Sequence, residues 1–387
     1  MPRWCWRPAA KGSLVVRIGF FTECYKPIVN GIVASIDALR DGLCAHGVDV
    51  TTIAPHFPHF VDDALDVVRI PSLPLPTQTA YRLCVPYLNA VDRRRVRGIE
   101  LVHAHSPFVT GWMAVSYARR HRIPLVFTYH TRLDAYAHYA PFDRATTERA
   151  MTELTRRYAN AADAVVVPTL AMETRLRELG VRVPISVVPS AIDVERFAAG
   201  RRSALIRARL GVDGDAPLAL VVSRLAVEKN VELAIDALAY APDLRLAIVG
   251  EGPHRAALED RARRLGVAGR VRFTGTLPRE RLPEVYASVD AFVFPSITDT
   301  QGLVLAEALA AGLPVVAAAS DASRDVLAGA GRLVVPDPAA MAAAIAAASA
   351  EGRDQSAVHL AYSRFTVEMQ TRRILELYRE VLAARAA

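Results

Sequence analysis

Short runs of β-branched and aliphatic residues recur along this chain, and helix-length segments separate most of them. In the first half they fall at 14–21 (LVVRIGFF), 48–54, 100–104, 123–128, 164–168 and 184–188, with helices expected at 31–46 and 108–121. In the second half they fall at 217–223, 244–249, 270–274, 290–295, 313–318 and 332–335. Strands alternating with helices predict βαβ units and parallel sheets, because a parallel pair needs a long crossover. Two such series predict an α/β protein of two doubly wound domains. The pattern restarts in VPSAIDVERFAAG (188–200), which sets the expected domains at 14–188 and 189–365. The alanine-rich run 338–350 reads as a surface helix, since alanine is the best helix former. Ile374, Leu375, Leu377, Tyr378, Val381 and Leu382 fall at helical spacing in a last packing helix over 365–385.

With 52% apolar residues among 387, the chain can build cores for two domains, and global disorder is excluded. Cys5, Cys24, Cys44 and Cys84 form no CxxC pair and read as reduced thiols, not as a zinc site or disulfide frame. No apolar run approaches the ~18–20 residues of a membrane span, and LVVRIGFF is too short and interrupted for a signal core. A soluble or peripheral protein of the cytoplasm is expected. The net charge of +7 is uneven: residues 1–190 hold 23 Lys and Arg against 16 Asp and Glu, and the remainder holds 24 against 24. A basic half suits an anionic partner such as a lipid surface or nucleic acid, although a solvated arginine-rich face looks the same in sequence.

Four constellations carry chemistry. In SITDTQGLVLAEALAAG (296–312) a strand ends, ITDTQ loops, and GLVLAEALAAG starts a helix that Gly312 closes. Ligands of open α/β sheets bind at the carboxyl ends of strands, so Asp299 is placed in the crevice. Backbone N–H groups near Gly302 and Leu303 can hold a phosphate. Glu307 can accept from vicinal hydroxyls such as a ribose pair; an ordinary helix glutamate would leave the same pattern. In LVVSRLAVEKN (220–230), Arg224 and Lys229 follow the first strand of the second domain and can neutralise a diphosphate. Lysine is scarce here, with Lys11, Lys26 and Lys229 the three present against 44 arginines, so its retention at 229 is informative. In ECYKPIVNG (23–31), Asn30-Gly31 opens a helix, and glycine permits close approach of a ligand. It is not GxGxxG, which argues against a dinucleotide enzyme. Finally, HAHSPF (103–108) and YHTRLDAYAHY (129–139) each follow a strand. His130 is placed to touch substrate, and backbone satisfaction is expected for His103, His105 and His138. Asp213-Gly214-Asp215 has the form of a DxD metal site and reads as a turn.

Taken together these segments resemble the retaining GT-B glycosyltransferases of family four. Asp299 to Glu307 is similar to the E-x7-E segment, Arg224 to Lys229 to the R-x4-K motif, and ECYKPIVNG, VVPSAID, VGEGP and VRFTG match other landmarks in order over roughly residues 14–383. The family usually carries Glu where Asp299 stands and Gly where Ala191 stands. The resemblance implies a GT-B fold: two Rossmann-like domains facing a cleft, the first for the acceptor, the second for a nucleotide-sugar, with a C-terminal helix (366–385) crossing back to the first. It also implies roles. Arg224 and Lys229 would bind the diphosphate, and Gly31 would give it a backbone contact. Glu307 would hold the ribose, Asp299 the donor sugar, and His130 would sit near the anomeric centre. No metal and no cofactor are expected.

TDTQGLV and the 129–139 run resemble enzymes that transfer α-glucose to diacylglycerol, and a related branch uses GDP-mannose. UDP-glucose or GDP-mannose as donor, a lipid acceptor and an anionic membrane surface are therefore the expected partners. YRLCVPYLNAVDRRRVRG (81–98) mixes aromatic, aliphatic and basic residues as an interfacial segment would. Peripheral attachment to the inner face of the plasma membrane would follow. A soluble sugar acceptor, or a non-catalytic nucleotide- or nucleic-acid-binding module, are the alternatives; the basic residues lack the aromatic interleaving that base stacking requires, so no nucleic acid is expected.

Overall fold

The computed structural model describes residues 16–62, 66–75, 81–139, 143–212 and 214–386, with backbone alone at 137–139 and 386. The chain divides into two units, one of Met1–Ala191 with Val367–Ala387 and one of Ile192–Thr366.

The first unit runs β1 (Arg17–Phe21), α1 (Gly31–Ala45), β2 (Asp49–Pro55), β3 (Val67–Ile70), β4 (Ser72–Pro74), β5 (Arg82–Cys84), α2 (Ala90–Arg95), β6 (Leu101–Ala104), α3 (Val109–His121), β7 (Leu125–Thr128), α4 (Arg144–Ala159), β8 (Ala164–Val167), α5 (Leu170–Glu178) and β9 (Ile185–Val187). Seven strands form one sheet in the order β3-β2-β1-β6-β7-β8-β9, every pair parallel. Its central strands are buried along their whole length, as a sheet covered on both faces requires. Asn30 caps α1 by accepting from the Val33 amide at 3.0 Å, which fixes where the β1 loop turns into helix. Three strands were not expected from sequence. β3 is an edge strand whose Arg69 bonds Asp62 and the Pro55 carbonyl, and its charge hides the strand pattern. β4 and β5 form a separate antiparallel ribbon of three residues each.

The second unit runs α6 (Val194–Ala198), α7 (Ala204–Arg209), β10 (Leu218–Val222), α8 (Val231–Ala237), β11 (Arg245–Val249), α9 (Arg255–Arg264), β12 (Val271–Gly275), α10 (Leu282–Ala287), β13 (Ala291–Phe294), α11 (Leu303–Ala310), β14 (Val315–Ala318), α12 (Asp321–Leu327), β15 (Arg332–Val334), α13 (Pro338–Ser349) and α14 (Gln355–Arg364). Its strand order β12-β11-β10-β13-β14-β15 reverses between β10 and β13. That reversal is the point at which doubly wound sheets open a crevice. The expected surface helix over 338–350 is α13, and it is half core: Met341, Ala342, Ile345 and Ala348 are buried against the sheet.

The expected helix over 365–385 is α15 (Val367–Ala386), which joins the first unit and packs on α1. Ile374, Leu377, Tyr378 and Val381 enter one core with Ile18, Phe20, Ile36 and Leu43. Phe365 stays in the second unit, buried, with its carbonyl accepting from the Ile192 amide at 2.9 Å.

Candidate functional site

The loops after β10 and β13 meet at the switch point of the second sheet. Arg224 and Lys229 lie beyond β10, and Asp299, Gly302 and Leu303 beyond β13. The two loops are stitched together: the Glu228 carbonyl accepts from the Thr298 hydroxyl at 3.0 Å, and Asn230 donates to the Pro295 carbonyl at 3.3 Å. Lys229 Nζ is 2.5 Å from Asp299 Oδ1, and Arg224 pairs with Glu228. Burial pushes the Asp299 carboxyl up, but the charge and hydrogen bond of Lys229, with Ser296 and Arg224 beyond, bring it below the usual carboxylate value. Its Oδ2 is buried with no hydrogen-bond partner. The sequence suggested separate roles for Lys229 and Asp299; the fold makes them a pair with one carboxylate oxygen left over.

Gly302 opens α11 at φ +73°, and a Cβ there would stand 2.7 Å from the Phe294 ring. Only glycine fits this strand-to-helix turn without strain. The first amides of α11 have no acceptor inside the helix, which makes its N-terminus attractive to an anion. One turn on, Glu307 is buried and its Oε2 accepts from the Tyr286 hydroxyl at 2.9 Å. Arg279 stands 3.8 Å from its Oε1. Burial raises the Glu307 carboxyl, with Arg279 and Tyr286 opposing. Glu228, Arg279 and Tyr286 were missed from sequence. The Arg224-to-Glu228 spacing was a signal for the first; nothing local marks the other two, which arrive from different elements.

In the first unit, Gly31 is the exposed first residue of α1. His130 lies two residues past β7 and His105 one past β6, and these strands are neighbours in the sheet. Their rings therefore meet: His105 Nδ1 is 3.0 Å from His130 Nε2. His103 is fully buried, with one ring nitrogen 2.6 Å from the Tyr378 hydroxyl and the other 2.6 Å from the Thr128 hydroxyl. Side chains, not the expected backbone groups, thus satisfy His103, because β7 and α15 bring hydroxyls to both of its ring nitrogens. The His105 ring is likewise held by a side chain. Burial lowers His130 to about 4 and, with help from the His130 charge, His103 to about 3; His105 is also held well below the ordinary value by burial first and then by its two neighbours. All three are neutral at pH 7. Glu23, after β1, was also missed: it accepts from the Ser106 hydroxyl and from the Thr110 amide at 3.0 Å, and burial raises its carboxyl.

Among the described residues no group of three or more His, Cys, Asp or Glu is placed to hold a metal ion. Asp213 and the His138 side chain lie outside the described residues. No helix among them is long and apolar enough to cross a membrane.

Residues 29–196 match the family described as Glycosyltransferase Family 4, and residues 203–362 match Glycosyl transferases group 1. The chain is 29% identical over 318 residues to the alpha-monoglucosyldiacylglycerol synthase of Acholeplasma laidlawii, covering 78% of this chain and 80% of that protein. It is 32% identical over 318 residues to a GDP-mannose-dependent alpha-mannosyltransferase of Mycobacterium tuberculosis, covering 81% of each. Among solved structures it is similar to a sucrose-phosphate synthase from Thermosynechococcus elongatus, with a TM-score of 0.79 and 21% identity over 95% of this chain and 100% of that one. It is also similar to Anabaena HepE in complex with UDP-glucose, with a TM-score of 0.70 and 22% identity over 94% of this chain and 99% of that one. The fold, both family matches and these relatives agree, and the chain belongs to the family-four glycosyltransferases of GT-B fold.

Proposed function

We propose that this glycosyltransferase moves glucose from UDP-glucose to a membrane lipid such as diacylglycerol, with retention of the anomeric configuration and without a metal ion. The observation that carries the donor half is the meeting of Arg224, Lys229, Asp299 and the α11 N-terminus at the switch point, with Glu307 one turn on. Arg224, Lys229 and the α11 amides take the diphosphate. Glu307 accepts from the ribose hydroxyls, and the unpartnered Asp299 Oδ2 accepts from a sugar hydroxyl. His130 is the first unit's residue that we assign to the sugar. As the bond from the anomeric carbon to the diphosphate breaks, negative charge builds on the leaving oxygen. Fixed cations stabilise that charge more in the transition state than in the ground state. The acceptor hydroxyl attacks from the same face and passes its proton to the departing phosphate oxygen.

The lipid half rests on the first unit's surface. Leu73 and Leu83 face one another across the β4–β5 ribbon and are 59% and 50% exposed. Tyr87 and Val91 are exposed nearby in sequence, together with Arg93, Arg94 and Arg97. Apolar side chains with flanking arginines suit an anionic bilayer, where each basic residue contributes up to about 1 kcal/mol. GDP-mannose is the second reading, favoured by the 32% identity to the mannosyltransferase.

The test is metal-free turnover of UDP-glucose, GDP-mannose and UDP-galactose with diacylglycerol in anionic or neutral vesicles. Glucolipid of α configuration that increases with anionic lipid is the expected result. Mannolipid from GDP-mannose transfers the reading to the second donor. Nucleotide release with no glycolipid overturns the lipid acceptor, and a strict requirement for divalent metal overturns the metal-free mechanism.

A further inference from the structure

We infer that His105 is a positioning residue for His130, and that it sets which nitrogen of the His130 ring carries the proton. The inference rests on the reading of His130 as the residue beside the sugar. His105 Nδ1 and His130 Nε2 are 3.0 Å apart, and both rings are neutral, so one nitrogen of the pair carries hydrogen and the other a lone pair. The remaining nitrogen of His105, Nε2, is buried and has no hydrogen-bond partner. If His105 accepted at Nδ1, its proton would sit on Nε2 as a stranded N–H. If it donates from Nδ1, Nε2 is a bare lone pair. Burying an unpaired donor is the costlier of the two, and orphaned N–H groups are the rarer in folded proteins. His105 therefore donates from Nδ1 to His130 Nε2, and the proton of His130 is on Nδ1.

The surroundings hold this arrangement. The His105 ring lies between Phe20, at 4.7 Å between centroids, and His103, at 4.3 Å. His103 is pinned in turn by the Tyr378 and Thr128 hydroxyls, so the C-terminal helix braces the ring stack behind His130. The consequence for the reaction is definite. His130 carries its hydrogen on Nδ1, and its Nε2 lone pair is occupied, so Nε2 is not a general base.

The test is nitrogen NMR on the full chain with ring-labelled histidine, which reads the protonated nitrogen directly. Proton on Nδ1 of both His105 and His130 is expected. A proton on Nε2 of His130, or an equal mixture of the two forms, overturns the inference without need of any variant. His105→Ala should then release His130 into a mixture of forms and lower kcat at least tenfold while the donor KM changes less than threefold. His105→Asn, whose amide N–H stands near the position of Nδ1, should restore both the single form and most of kcat. Loss of rate in His105→Ala with the His130 form unchanged, or no rescue by Asn, would mean a packing role only. Full turnover by His130→Ala would instead remove His130 from the sugar, and the nitrogen signals would still decide the pairing.

Discussion

At the scale of residues, the charges gathered at the second unit's switch point are balanced in pairs. Lys229 neutralises Asp299, and Arg224 neutralises Glu228, so burial of these groups costs less than it would for any one alone. Lys229→Met leaves Asp299 buried and unpaired. It should destabilise the protein by about 2 kcal/mol, less than the ~3–5 of a fully buried pair because both side chains keep some solvent contact. Adding Asp299→Asn should recover most of that stability in urea denaturation while turnover stays abolished. Recovery of both together would assign the pair to structure alone. Glu307→Gln keeps the shape and the Tyr286 contact but removes the charge that ribose hydroxyls would use. A hydrogen bond to a charged group contributes roughly 1.5–3 kcal/mol, so the donor kcat/KM should fall about 10–100-fold with little change in Tm. Steady-state kinetics at wild-type level would remove Glu307 from the donor site.

At the scale of elements, the C-terminal helix is attached through a close crossing. A Cβ on Gly42 of α1 would stand 2.0 Å from Thr371 Oγ1 and 2.9 Å from Val367 Cγ1 of α15. Gly42→Leu must therefore push α15 outward, at a cost of about 1–3 kcal/mol as overpacking. Hydrogen exchange over residues 367–386 should accelerate in this variant, and α1 should stay protected where it faces β1 and β2. Unchanged exchange in α15 would mean the helix is held elsewhere. The central strands were legible because they are buried on both faces and read as apolar runs; β3 and β5 were not, because Arg69 and Arg82 interrupt short segments, and β4 is three residues between Pro71 and Leu75 that end in Pro74. The helix over 338–350 was legible as a helix from its alanines, but not its buried face, since alanine fits both core and surface.

At the scale of the molecule, each unit brings buried titratable side chains together near the carboxyl ends of its strands. The first unit adds three neutral histidines at that end. An unfolded histidine titrates near ~6.5, whereas His130 and His103 are depressed to about 4 and about 3. Between those values the unfolded chain binds more protons than the folded one, so stability rises with pH over that window and is lost as pH falls through it. The thermal midpoint should drop between pH 6.5 and 4, and drop less steeply in His103→Asn. Equal slopes in the two proteins would show that His103 is not part of this linkage.

The sequence by itself determined the α/β class, the two series of strands, the helices at 31–46, 108–121, 338–350 and 365–385, and the residue types at the strand ends. These follow from local periodicity and from glycines and caps whose meaning is local. The tertiary structure alone decided which strand ends are neighbours. The order β10-β13 joins Lys229 to Asp299 across seventy residues of chain, and β6-β7 joins His105 to His130. Tyr286 and Arg279 reach Glu307, and Tyr378 reaches His103, by packing between elements distant in sequence. Strand order is set by which crossovers bury the most apolar surface, and no window of sequence carries that sum.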